Sequence, residues 1–368
     1  MLEGDARWAW LYLAGEIAAF VSYVAGLLLL RRGPVRLALV AAVAVAIQLA
    51  PLGAPLLISS DAWTYWDYGR IAVVHDANPY THPPRDFPDD PAYQHIGGAW
   101  HDATSVYGPL FTLGSEPVAV AAGSSADAAA WLFKSLAALA MLGTVALCAL
   151  LAPRRAFAVA LVGWNPLLAL HFAGGGHNDA WMAGLVLAAL ALAASGRRQL
   201  AGAAWALAVL VKWIPLVLLP LRWLEARAAG RRVPFAGFGV TAIVVAALAT
   251  WRYGLAWLGA FGPLARNANK ETRFALPHRL GDLGVPSWLA IALFAAAFVL
   301  AYLWLAREAW RGQARLGLAA ALLLLAVPYL AAWYVVWTIP LAAAEDDRTA
   351  QWLGLGLTAY LLRQAVPL

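Results

Sequence analysis

The chain is 368 residues long, 63% hydrophobic and only 12% Asp, Glu, Lys and Arg, with 19 Trp and a formal net charge of +6. Soluble domains carry roughly 25% charge, so a water-soluble single-core protein is excluded. One cysteine, Cys148, inside an apolar run, removes disulfide frameworks, thiolate metal sites and thiol redox chemistry. The arginines sit mostly in short loops between apolar runs, which is the pattern of membrane orientation and not of nucleic-acid binding.

Most of the apolar runs are long enough to cross a hydrocarbon core of roughly 30 Å as a helix, which predicts an all-α, polytopic integral membrane protein. The first run, 8–30, lacks a net basic start and leads into Arg31, Arg32 and Arg36; it reads as a retained span and not a cleaved leader. Further spans are expected at 37–58, 126–151, 157–172, 179–194, 200–221, 233–253, 286–306, 316–342 and 352–362. The 200–221 run has arginines at both ends, so it must enter and return as a re-entrant hairpin. Lys212-Trp213-Ile214-Pro215 is its natural break, because Pro removes a helix hydrogen bond. Counting the two arms separately gives about 11 transmembrane helices in a single domain over 1–368, with no internal repeat and no soluble domain.

The loops carrying Arg31/Arg32/Arg36, Arg154/Arg155, Arg197/Arg198, Arg222/Arg227/Arg231/Arg232 and Arg307/Arg311/Arg315 are all expected in the cytoplasm, with the N-terminus outside and the C-terminus inside. The longest polar stretch, 59–107, then faces outward. It holds seven Asp, at 61, 67, 76, 86, 89, 90 and 102, against Arg70 and Arg85. The next segment, 107–123, is apolar but broken by Pro109, Gly114 and Glu116-Pro117, and reads as a helix lying in or dipping into the interface, so that 59–123 is one large outward loop. A second outward loop, 254–285, is basic, with Arg266, Lys270, Arg273, His278 and Arg279 against Glu271 and Asp282. All seven His (75, 82, 95, 101, 171, 177 and 278) fall in or beside outward regions, which puts any chemistry on that side.

Ser59-Ser60-Asp61 closes the second span, and the segment from Asp61 to Arg70 reads as a short amphipathic helix with Ser60 as N-cap. Helical spacing puts Asp61, Tyr65 and Tyr68 on one face and pairs Asp67 with Arg70 on another. Asp61 is either a helix cap at the water boundary or an ionised carboxylate at a cavity mouth, placed to accept a proton from a hydroxyl. The aromatics Trp63, Tyr65, Trp66, Tyr68, Tyr80 and Trp100 suit either an interfacial belt or a sugar face.

The motifs that follow are Gly69-Arg70, Asn78-Pro79-Tyr80, Trp100, Tyr107-Gly108-Pro109-Leu110, Trp164-Asn165-Pro166-Leu167, Gly174-Gly175-Gly176-His177-Asn178-Asp179 and Lys212-Trp213-Ile214-Pro215. In order and spacing the chain resembles the polyprenyl-phosphate-mannose-dependent mannosyltransferases of bacterial cell envelopes, members of the GT-C superfamily. The resemblance covers roughly residues 55–222, and the loop 266–279 matches nothing in it. It implies a GT-C-type bundle in the bacterial plasma membrane with its site on the outer side. Mannose, or a similar hexose, would pass from a polyprenyl-phosphate donor to a hydroxyl of a glycan or lipid-linked acceptor, with inversion. A lipid phosphate leaves as a monoester and needs no general acid, so one base suffices where glycosidases use two carboxylates. Asp61 is the expected base. Tyr65, Asp67, Arg70, Asn78, Tyr80, Tyr107, His177, Asn178, Asp179 and Lys212 are expected around the substrates, and Arg266, Lys270, Arg273 and His278 at the donor phosphate, since cations and Arg forks suit phosphate oxygens. No cofactor is required. Asp61 with His177 or Asp179 could suit a divalent ion, but no dedicated metal spacing is present and none is predicted. The expected partners are the sugar donor, the acceptor and membrane lipid, with no nucleic acid. The rivals are a secondary transporter built on Glu16, Lys134 and Lys212, or a GT-C enzyme with a different sugar donor.

Overall fold

The structure, a computed structural model, describes residues 6–33, 35–56, 58–262 and 272–366. Among these residues every regular element is helical, as an apolar surrounding requires: a helix satisfies its backbone N–H and C=O groups internally. In chain order the α-helices are α1 (Ala6–Leu30), α2 (Leu37–Leu49), α3 (Asp61–Val73), α4 (Pro109–Ala122), α5 (Ala126–Leu151), α6 (Arg155–Gly163), α7 (Pro166–Phe172) and α8 (Asp179–Ala194). They continue as α9 (Arg198–Val211), α10 (Pro215–Ala228), α11 (Phe235–Tyr253), α12 (Leu276–Asp282), α13 (Ser287–Trp310), α14 (Leu316–Ala326), α15 (Ile339–Ala344) and α16 (Arg348–Leu361).

Among the described residues, four helical stretches are long and apolar enough to cross a membrane alone: Arg7–Leu30, Ala126–Leu151, Phe235–Ala260 and Ser287–Trp310. Their outer faces are bare, with Ile243 and Leu300 each 69% exposed and Trp251 84%. Large apolar surface of this kind suits lipid chains and not water.

Helices of full crossing length do not reach the expected count of about 11, because several expected spans are broken. The 37–58 run stops being α-helical at Leu49 and ends in a 3-10 turn, Ala50–Gly53. Lys134 closes that end, its Nζ donating to the carbonyls of Leu52 (2.8 Å) and Ala54. The 157–172 run bends by 54° between α6 and α7. Pro166 has no N–H to continue the helix, and the Asn165 Oδ1 accepts instead from the N–H groups of Leu167 (3.1 Å) and Leu168 (3.2 Å). The 316–342 run breaks before Pro328 into α14, an irregular stretch, a 3-10 turn (Ala332–Trp337) and α15. The 200–221 run turns back at Lys212, as its flanking arginines require. The far ends of its arms, Arg198 on α9 and Arg222 on α10, line one small cavity.

The remaining geometry is a separation of charge between two ends. The 26 residues of α5 rise about 39 Å. At its start the Ala126 carbonyl accepts from Trp63 Nε1 (3.0 Å), two residues from Asp61; three residues after its end comes Arg154. The other helices repeat this sense: α8 runs from Asp179 toward Arg197, α9 returns to Lys212, and α10 leads back to Arg227. Asp61, Asp179 and Lys212 therefore gather at one end and the arginine loops at the other.

Candidate active site

Asp61 opens α3. Ser60 holds the N-cap position, but its hydroxyl accepts from the Gly97 N–H (3.0 Å) and makes no bond to the helix. The Ser59 hydroxyl takes the Asp61 N–H instead (3.1 Å). One helical turn on, the Tyr65 hydroxyl lies 3.4 Å from Asp61 Oδ2. From across the cleft comes His177, on the turn before α8. Gly176 makes that turn with φ +74°, a left-handed conformation that favours glycine. His177 Nδ1 is 3.1 Å from Asp61 Oδ2, and its buried ring stacks on Trp333 at 3.8 Å with planes 14° apart. Asp61 keeps 14% of its side chain open to the cleft. Burial pushes its carboxyl up, but the His177 hydrogen bond and charge, with Lys212 and Ser59, outweigh that and hold it below its ordinary value.

A second pair stands beside the first. Lys212 lies in extended backbone where α9 ends, and its Nζ is 2.7 Å from Asp179 Oδ2. Asp179 Oδ1 accepts from Trp337 Nε1 (2.6 Å), which satisfies a wholly buried carboxylate. The ammonium also sits 5.2 Å from the centre of the Tyr334 ring. Between Asp61 and Lys212 opens a cavity of about 270 Å³, walled by Trp100, Tyr107, Trp213, Tyr329, Trp333, Tyr334 and Trp337. Tyr107 is held there by Gly108, whose N–H donates to the Val211 carbonyl (3.2 Å); a Cβ on Gly108 would stand 2.1 Å from the Leu210 oxygen. One carboxylate edge and one ammonium thus face a mostly aromatic hollow, the composition of a site for a ligand that is part polar and part apolar.

The other expected residues divide. Tyr65 lies buried beneath Asp61. The amide of Asn178 is buried with both polar atoms unpartnered, and its backbone N–H reaches the Tyr65 hydroxyl at 3.5 Å. Asp67 does not hydrogen-bond to Arg70, which bonds Asp90 (2.8 Å) and the Gly123 carbonyl (2.6 Å). Asp90 accepts from both Arg70 and the N–H of Ala92 and meets His75 at 2.7 Å, so Arg70 staples the loop and stands away from the cavity. Burial and the Asp90 charge, only partly offset by Arg70, push Asp67 up to about 7. Asn78 donates to the Tyr253 carbonyl (2.6 Å), and the Tyr80 hydroxyl donates to Thr112 (2.9 Å) or the Tyr107 carbonyl (3.1 Å). Both shape the loop that presents Tyr107 and do not line the cavity. Arg266 and Lys270 lie outside the described residues. Arg273 is exposed, next to Thr272, whose N–H donates to the carbonyl of wall residue Pro328 (3.0 Å). His278 lies on α12, 3.7 Å from Asp282.

Tyr329, Trp333, Tyr334 and Trp337 escaped the sequence reading because 316–342 passed for one uniform span. Pro328 and Pro340, with four aromatics between them, were the signal of a broken segment lining a cavity. Among the described residues no three His, Cys, Asp or Glu side chains converge as a metal site requires, and Asp179 is committed to Lys212 and Trp337.

The family model described as alpha-(1->6)-mannopyranosyltransferase, N-terminal domain, matches residues 4–227. Alpha-(1->6)-mannopyranosyltransferase A of Mycobacterium tuberculosis is 27% identical over 329 residues, covering 79% of this chain and 63% of that protein. The Corynebacterium glutamicum protein of the same name is 26% identical over 248 residues, 60% of this chain and 50% of its own length. The chain thus spans less than two thirds of the length of these curated relatives. No solved structure matches it significantly. With more than half of its residues inside the family match, the chain belongs to the alpha-(1->6)-mannopyranosyltransferase family.

Proposed function

We propose that the protein is an inverting membrane mannosyltransferase that draws mannose from a polyprenyl-phosphate donor and forms an alpha-(1->6) bond to a glycan or lipid-linked acceptor at the outer face of the bacterial plasma membrane. The observation that carries this reading is Asp61 and Lys212 facing one aromatic cavity at the end of the molecule away from the arginine loops. An acceptor hydroxyl attacks the anomeric carbon as the bond from that carbon to the phosphate oxygen breaks. The hydroxyl proton passes to Asp61, and the prenyl phosphate leaves as a monoester anion. Asp61 is fit for this role because its neighbours keep it ionised, and His177 and Tyr65 fix its direction. Lys212, fixed by Asp179, supplies positive charge for the leaving phosphate, and Arg273 adds charge beside the cavity wall. Trp333, Tyr334 and Trp337 offer faces for the sugar and the first isoprene units. The arginine loops favour the cytoplasm, which orients the cavity outward.

The transporter alternative gains nothing from its three candidate residues. Lys134 is tied to backbone carbonyls, Lys212 to Asp179, and Glu16 is buried near Tyr12 on α1. Membranes containing the protein, given radiolabelled polyprenyl-phosphate mannose and a mannan oligosaccharide, are expected to yield an oligosaccharide longer by one alpha-linked residue. Uptake of label into sealed vesicles without a new glycosidic bond would overturn the proposal in favour of transport.

A further inference from the structure

At the arginine end, the loop after α1 and the starts of α6 and α16 enclose a second cavity, of about 510 Å³. Four guanidinium groups line it, from Arg31, Arg154, Arg155 and Arg348. Arg154 is already engaged, its Nε 2.9 Å from Asp346 Oδ2. Among the described residues Arg31, Arg155 and Arg348 have no carboxylate within ion-pair distance. Arg31 is nonetheless held in place, 5.0 Å from the centre of the Phe157 ring and 5.4 Å from that of Trp352. The first turn of α6 has no side-chain cap, and its unpaired N–H groups add positive potential beside Ala156 in the wall. All three are exposed and hydrated, so an anion entering the hollow would meet guanidinium groups that no carboxylate has neutralised.

The surroundings say which anion. Trp352, which lines the cavity, is 56% exposed, and Leu29, next to lining residue Leu30 on α1, is 61% exposed, continuing the bare apolar surface of the long helices. A soluble anion would use the arginines and leave that flank uncovered, whereas a phospholipid fits phosphate to the first and acyl chains to the second. We infer that this cavity binds the phosphate headgroup of an anionic phospholipid. The ligand would meet guanidinium forks, which match phosphate oxygens two at a time. Since α5 separates the two ends by about 39 Å, the site is independent of the transfer reaction.

The test is thermal unfolding of the full chain in a neutral detergent with added dioleoylphosphatidylglycerol, dioleoylphosphatidylcholine or inorganic phosphate at equal concentration. Phosphatidylglycerol is expected to raise Tm by several degrees and the other two to leave it unchanged. Arg155→Gln, which breaks no ion pair, should reduce the shift, and Arg31→Gln/Arg155→Gln/Arg348→Gln should abolish it. Arg85→Gln, at the opposite end, should keep it. Equal stabilisation by phosphatidylcholine, or a full shift in the triple variant, overturns the site. Equal stabilisation by inorganic phosphate overturns the lipid and leaves a free-anion site. Should the triple variant fail to fold, retention of phosphatidylglycerol in native mass spectra of wild type and Arg155→Gln decides the same question, with equal retention counting against it.

Discussion

The base proposed here, Asp61, must be an anion, and its surroundings favour that state. Its folded pKa lies below the ordinary carboxylate value near 3.9, so the acid limb of kcat/KM should fall below the neutral range. The chief opponents of burial are the hydrogen bond and charge of His177. In His177→Ala burial should dominate, and the acid limb is expected to move to higher pH; a limb unmoved in a folded, active variant would show that His177 does not hold the carboxylate. Asp67 illustrates the opposite sign. With a folded pKa of about 7, it favours the fold when protonated, most fully below about pH 4, and that contribution is lost as pH rises through 7. Asp67→Asn should therefore stabilise the protein more at pH 8 than at pH 5, by on the order of 1 to 4 kcal/mol, while transfer persists. Thermal melts at the two pH values check this, and a larger gain at pH 5 would reverse the reading. The sequence offered Arg70 as the partner of Asp67 because both lie on α3; it could not show that Asp90, twenty residues on, folds back to take the guanidinium.

At the scale of elements, the site is built from interruptions. Lys212 is there because α9 stops, His177 because a glycine turn precedes α8, and the aromatic wall because α14 ends before Pro328. Gly108 sets how closely the α4 entry approaches the Lys212 break. Gly108→Ala must push a methyl against the Leu210 carbonyl, so it is expected to lower stability by about 1–3 kcal/mol and to weaken donor use more than Gly114→Ala, where a Cβ meets open space. Equal effects of the two substitutions would remove the close approach as the reason for glycine. Much of this organisation was legible beforehand. The bounds of α5 and α8 follow from hydropathy, and the Lys212 break from a proline flanked by arginine-ended arms. The bend at Val327 was not, and the one at Asn165 showed only in the resemblance of Asn165-Pro166 to a family turn, because a window of apolar residues looks the same whether its helix is straight or broken. The cavity wall from the C-terminal third was lost for that reason.

For the whole molecule, the separation of the Asp61 end from the arginine-rich end carries the proposed orientation in the membrane. Cys148 is fully buried, so single cysteines report cleanly on sidedness. In intact cells a membrane-impermeant maleimide should label Asp102→Cys, whose native side chain is 73% exposed at the Asp61 end. Arg311→Cys, where the native side chain is 66% exposed at the arginine end, should react only after permeabilisation. The reverse pattern would turn the cavity to the cytoplasm. The proposed chemistry rests on Asp61, and single-turnover transfer from radiolabelled polyprenyl-phosphate mannose, with donor binding followed in parallel, tests it most directly. Asp61→Asn should bind the donor as wild type does and transfer mannose roughly 10²- to 10⁴-fold more slowly, the range a general base contributes. Transfer at the wild-type rate with the carboxylate gone would contradict the mechanism.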